Sequence, residues 1–240
     1  MSNPPLVLPV APGVTMGDIM RRVSGVRPDG SVPTTPLWEW EMVVLGLERA
    51  IDRYSLALNG GRGIDARIAA GEALWWVSAA DEFLRTRVSQ MKAREYYPAI
   101  AKTEDGAMLA GLAFLRNRAG HQLTVALDVQ SEPKNIPFEV VQEDGTVQSH
   151  HLTGVVRKSL NPHDFAPLSG FFFQDFKKLP PADQGHDEKS GRDICYADVV
   201  AGRSVDEVLR KALQTLRDLI EIERPSPDKV SMKINAQLST

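Results

Sequence analysis

Three side chains near the middle of the chain have the types and spacing to act on a phosphate. They are Arg116, Asn117 and His121, in the stretch GLAFLRNRAGHQLT over residues 111–124. An arginine is a permanent cation whose planar fork of donors matches phosphate oxygens. A histidine is the side chain that exchanges protons near neutral pH. On a helix, positions four apart share a face, so Asn117 and His121 would lie one turn from each other. Arg116 would sit about 140° round the helix from His121, with a side chain long enough to reach back. Arg118 adds a second cation for contact with a polyanion such as RNA. Gly120 is a poor helix former, and its use would be to let another backbone or a phosphate come close. The same residues also read as a basic helix end in contact with solvent.

Other chemistries find less support. His150, His151, His163 and His186 fall in strand-like or loop-like sequence, and there is no His-Glu-x-x-His pair to gather a metal. Cys195 is the only cysteine, so no internal disulfide is expected and a core thiol is its expected role. The glycine-rich break at residues 59–63 (NGGRG) lacks the lysine and Ser/Thr of a phosphate-binding loop and reads as a hinge. No Gly-x-Ser-x-Gly elbow occurs. Neither a metal nor a cofactor is expected.

The elements that must position the triplet follow from apolar periodicity and end signals. Long helices are predicted over residues 36–58, 64–94, 103–127 and 204–223, with the triplet in the second half of the third. Thr103 is the expected cap of that helix, and Ser204 with Glu207 the expected capping box of the last. A shorter helix is expected over 15–23, capped by Thr15. Leu45, Trp76, Phe83, Leu112, Leu115, Leu213 and Leu216 are expected in the core. Residues 95–102, with Tyr96, Tyr97 and Pro98, read as a connector. Mid-helix Asp81 and Glu82 read as a solvated face or a pair with Arg85, although an acid there could also face a basic motif on a neighbouring helix. Residues 136–141 and 146–148, around Glu143-Asp-Gly, look like strand, turn, strand. Phe171, Phe172, Phe173 and Phe176 read as a plug on the core.

The predicted fold is therefore mainly α: an antiparallel helical bundle with a partly β insertion between the third and fourth long helices. Residues 1–35 form a proline-rich arm and connector, 36–224 the bundle with its insertion at 128–202, and 225–240 a tail. The arm is expected to be disordered or to lie across a neighbouring subunit, and the tail to be disordered or to add a strand. At 240 residues the chain can bury a sizeable core. A formal net charge of −3 gives no global basic field, so any RNA contact must be local. No apolar run is long enough for a membrane span and no signal sequence opens the chain, so a cytoplasmic protein without membrane contact is expected.

Arg-Asn-x-x-x-His on a helix resembles the signature of HEPN-domain proteins, small helical bundles that include many RNA-cleaving toxins and defence proteins. In that motif an Arg precedes a His by a few residues, with a polar residue often straight after the Arg; here these are Arg116, Asn117 and His121. The resemblance implies a metal-independent endoribonuclease with His121, Arg116 and Asn117 as catalytic residues and Arg118 touching RNA. It implies a homodimer whose two motifs face one cleft, and an antitoxin or other protein as a further partner. Two other readings remain open at this point: a non-catalytic HEPN-like nucleotide- or partner-binding module, and a structural assembly protein.

Overall fold

The structure, a computed structural model, describes residues 5–23, 38–60, 62–119, 134–142, 146–156, 165–167, 171–179, 191–226 and 229–238. Among them the protein is mainly helical, with α1 (Met16–Val23), α2 (Trp38–Asn59), α3 (Gly63–Phe83), α4 (Ala93–Ile100), α5 (Glu104–Ala119), α6 (Arg192–Cys195) and α7 (Val205–Leu219). Thr15 caps α1 as expected, in reciprocal bonds with Asp18: the Asp18 amide donates to Thr15 Oγ1 at 3.2 Å and the Thr15 amide to Asp18 Oδ2 at 3.0 Å. Among the described residues, two sheets are built from strands that follow one another in sequence. Strands β2 (Lys134–Val141), β3 (Val147–Val156) and β4 (Phe165–Pro167) form an antiparallel three-stranded sheet, so the expected hairpin across residues 136–148 is present.

Helices α2 and α3 run antiparallel. Trp40 meets Phe83 with ring centroids 5.2 Å apart, Gly46 lies on Trp76, and Arg53 pairs with Glu72. On α2 the buried residues are Trp40, Val43, Leu47, Ala50, Ile51, Tyr54 and Ala57, which is helical spacing for one face. Leu45 lies off that face and is 44% exposed, so it is not a core residue. Trp76 packs on Gly46, where any Cβ would overlap the indole, yet it is only half-buried rather than a core residue. Helix α7 runs antiparallel to α2: Ser55 donates to Asp206 at 3.2 Å and Arg217 pairs with Glu48 at 2.7 Å.

Three expected boundaries and one expected cap are corrected. The predicted helix over 64–94 stops early: after Phe83 the coil widens into a π-helical turn (Leu84–Ser89) and ends at Gln90, whose φ of 54° is left-handed. Residues 95–102 are then mostly helix α4, because Tyr96, Tyr97 and Ile100 are buried on one side while Pro98 faces solvent. The last helix stops at Leu219. There the alternating Ile220-Glu221-Ile222-Glu223 becomes strand β5 (Ile220–Ser226), paired antiparallel with β6 (Lys229–Ile234). Ser204 does not cap α7 through its side chain; its backbone bridges Phe172 instead.

Residues 6–10 lie on the protein's own core rather than away from it; residues 1–4 and 24–35 of the expected arm and connector lie outside the described residues. Leu6, Leu8 and Val10 are buried, at the alternate spacing of an extended segment. Strand β1 (Leu8–Pro9) pairs in parallel with β7 (Ala236–Gln237), and Asn235 Nδ2 donates to the Leu6 carbonyl at 2.7 Å. Apolar residues at every second position outweigh the polyproline preference of the segment.

Gly111 of α5 sets a testable limit on this packing. A Cβ there would come within 2.9 Å of Tyr196 Cα and Val200 Cγ2, in the π-helical turn that follows α6. Gly111→Val is expected to lower stability by about 1–3 kcal/mol, the usual cost of overpacking a rigid contact. Urea unfolding measures this, and an unchanged midpoint would show that the turn does not press on α5.

Candidate functional site

Helix α5 carries the first part of the sequence motif, and its surroundings change sharply along its length. Thr103 caps it as expected, with Oγ1 accepting from the Gly106 amide at 3.2 Å. Glu104 and Asp105 follow at the positive helix end. Lys211 of α7 bonds Glu104 at 3.0 Å and Asp105 at 3.1 Å, and Arg203 reaches Glu104 at 3.4 Å. Chiefly through the Lys211 hydrogen bond, the Glu104 carboxyl is held below its ordinary range. From 106 to 115 every residue is buried, so this stretch has no solvated face at all. The contacts come from several sides: α3, α4, α6 with the turn after it, and α7.

The helix then leaves the core. Arg116 and Asn117 are exposed and Arg118 is half-buried. Arg116 Nη1 donates to Asn117 Oδ1 at 3.2 Å, which couples the guanidinium to the carboxamide. Arg118 turns back, with its guanidinium 5.4 Å from the centroid of the buried Phe114 ring. The structure thus brings Arg116 and Asn117 together at the surface and sets Arg118 against the core beside them. His121 and Gly120 lie outside the described residues, as do the side chains of the other four histidines. Neither of two sizeable surface grooves is lined by Arg116, Asn117 or Arg118. Among the described residues no three His, Cys, Asp or Glu side chains gather as metal ligands, and no helix is long and apolar enough to cross a membrane. Cys195 is only half-buried, and burial raises its thiol pKa.

A second polar cluster lies inside the protein, where the sequence offered two bland expectations for Asp81 and Glu82. Glu82 follows them, bonding Arg85 at 2.6 and 2.7 Å. Asp81 does not: it is 2% exposed and accepts from the Tyr97 hydroxyl at 2.6 Å. Arg192, at the start of α6, lies over the Tyr97 ring at 4.5 Å. Among the described residues, Asp81 Oδ1 and the Tyr96 hydroxyl have no hydrogen-bond partner. Burial, partly offset by the Tyr97 bond and by Arg192, pushes the Asp81 carboxyl up to about 6. The cations that act on it are Arg192 and Arg85, not the motif arginines. The only sequence signal for this cluster is an acid inside the apolar run AADEF, which a surface pair explains equally well.

The aromatic stretch after β4 behaves as a plug. Phe172 and Phe173 are buried, and Phe176 packs on Phe114 and Tyr196 with centroids 6.0 and 6.5 Å away.

The chain matches no protein-family model, no curated protein and no solved structure.

Proposed function

We propose that the protein is a HEPN-like, metal-independent endoribonuclease of toxin or defence type. In this reading its helices form the antiparallel bundle of that family, and residues 128–202 are an insertion between the third and fourth long helices. The observation that carries the reading is the end of α5: a helix with ten consecutive buried residues that surfaces on Arg116-Asn117, with the guanidinium and carboxamide in contact. Such a rod holds its last turn rigidly, which suits groups that must meet a phosphate at fixed distance.

RNA supplies its own nucleophile, the 2′-hydroxyl. The protein needs a base, an acid and a partner for the charge that builds on the phosphorane oxygens. Arg116 holds a non-bridging oxygen, Asn117 orients it or the imidazole, and Arg118 adds a contact to the backbone. His121 takes or gives the proton. One imidazole cannot serve both sides of a single phosphate, so two copies share the site and one histidine acts as base while the other acts as acid. The test is incubation of the purified protein with a mixed RNA pool in excess EDTA, with the product ends analysed. Cleavage that leaves 2′,3′-cyclic phosphate ends is expected. Intact RNA, or cleavage that requires a divalent metal, removes the proposal.

Two observations favour a second reading, a non-catalytic nucleotide- or partner-binding module. Cations in the last turn of a helix offset its negative end, which gives Arg116 and Arg118 a structural use. A protein with net charge −3 also has no broad field to attract RNA. Binding of RNA or nucleotide without turnover would decide for this module.

A further inference from the structure

The outward face of α3 is apolar where a surface helix is ordinarily polar. Ile64, Ile68 and Trp75 are 77%, 66% and 49% exposed. At about 100° per residue these three fall within about 40° of one another, so they form a single stripe along α3. Leu56 of α2, 64% exposed, lies beside it across a groove of about 400 Å³ lined also by Arg53, Ile68 and Glu72. A contiguous apolar patch with a charged rim marks a site of protein association.

The rim says what covers it. Glu72 flanks the stripe on the α2 side, where it pairs with Arg53. Arg67 flanks it on the other side, with its guanidinium 5.2 Å from the Phe171 ring. Arg67 and Glu72 are five positions apart. In a parallel pair of helices whose seam is Ile64, Ile68 and Trp75, that spacing brings each Arg67 to the Glu72 of the other copy, twice about the two-fold axis. An antiparallel pair would instead set the two Arg67 flanks together and the two Glu72 flanks together. The seam is therefore complementary to itself in one orientation.

We infer that this face of α3 is a docking seam for a second copy of the chain, held parallel by reciprocal Arg67–Glu72 contacts over Ile64, Ile68 and Trp75. The long stem of Arg67 from the second copy covers the groove beside Leu56. The seam does not depend on the RNA-cleaving reading, and its test uses no RNA.

Sedimentation equilibrium at micromolar concentrations is expected to show a dimer for the wild type. Ile68→Asp and Trp75→Lys, both at exposed positions, are expected to give monomers with unchanged circular dichroism. Arg67→Glu should weaken association by about tenfold or more, and Arg67→Glu combined with Glu72→Arg should recover most of the loss. Mild oxidation of Ile64→Cys should join two copies through residue 64, which only the parallel orientation brings together; the wild type, with Cys195 alone, is the control. A monomeric wild type, or a dimer that survives both Ile68→Asp and Trp75→Lys, overturns the seam. A charge swap without recovery, or a dimer in which Ile64→Cys does not cross-link, overturns the parallel, self-complementary pairing.

Discussion

His121→Ala is expected to slow RNA cleavage by roughly 10²–10⁴-fold, because it removes proton transfer at the 2′-hydroxyl or at the leaving oxygen. Arg116→Ala is expected to be comparably damaging. The guanidinium is exposed and held by Asn117, so its loss leaves the packing untouched while the transition-state charge loses its partner. Asn117→Ala should cost less, since it orients groups rather than exchanging protons. The measurement is single-turnover cleavage of one labelled RNA by the wild type and each variant, with thermal unfolding as the fold control. Arg116→Ala should unfold within about 0.5 kcal/mol of wild type, as surface substitutions usually do. If cleavage persists in both His121→Ala and Arg116→Ala, the site assignment is wrong even for a protein that is a nuclease. Arg118→Ala separates two roles: a phosphate contact predicts weaker RNA binding, whereas the packing against Phe114 predicts a small loss of stability with binding unchanged.

Asp81→Asn is expected to stabilise the protein at neutral pH. The folded-state pKa of Asp81 is raised, to about 6 from 3.8. A raised carboxylate pKa means that the folded protein prefers the protonated acid, so this group favours folding at low pH. Its contribution declines as pH climbs from about 4 to about 6 and stays at its least favourable value above that. The shift corresponds to about 3 kcal/mol. An Asn at this position keeps an acceptor for the Tyr97 hydroxyl and carries no charge. The unfolding free energy of Asp81→Asn minus that of wild type should therefore be near zero at pH 4 and should rise to a positive plateau above pH 6. A difference that is flat with pH, or negative at pH 7.5, would show that ionised Asp81 is held comfortably by Tyr97, Arg192 and Arg85. Arg192→Met tests the same cluster from the other side. Without that cation the carboxylate loses a stabilising partner, and the pH-dependent penalty should grow.

The long helices were legible because burial wrote itself into their spacing. Trp40, Val43, Leu47, Ala50 and Ile51 repeat at three and four positions, and Val208, Leu209, Ala212, Leu213 and Leu216 do the same. Helix α5 was legible for a different reason: an unbroken apolar run after Thr103 and two acids. What failed was local information set against tertiary information. Tyr96, Tyr97 and Pro98 look like a connector because proline and two aromatics resist helix, yet two buried rings hold α4 in place. Ile220-Glu221-Ile222-Glu223 has a strand period, but it continues an amphipathic helix without a break, and only the pairing of Ile220 with Ile234 decides the switch. Leu45 belongs to the apolar set of α2 by composition, but the single face taken up by α3 and α7 leaves it outside. At the candidate site, the contact of Arg116 with Asn117 follows from adjacency on a helix. The turning of Arg118 onto Phe114 needs the three-dimensional position of the ring.

The pairing of β1 with β7 joins residues made far apart in the order of synthesis. Asn235 must be made before Leu6 has its hydrogen-bond partner, 229 positions later in the chain. At a ribosomal rate of about 5–20 residues per second, the apolar segment around Leu6, Leu8 and Val10 waits on the order of ten to fifty seconds for the strand that covers its edge. Through that interval one edge of the segment lacks its strand, although the Ala11 amide can already reach the Ser89 carbonyl, and an open apolar edge is what chaperones hold and other nascent chains can capture. Its prolines, Pro5 and Pro9, then have a protective role: a residue without an amide hydrogen cannot extend a foreign sheet through that position. Closure of this two-stranded sheet therefore waits until Gln237 has been made.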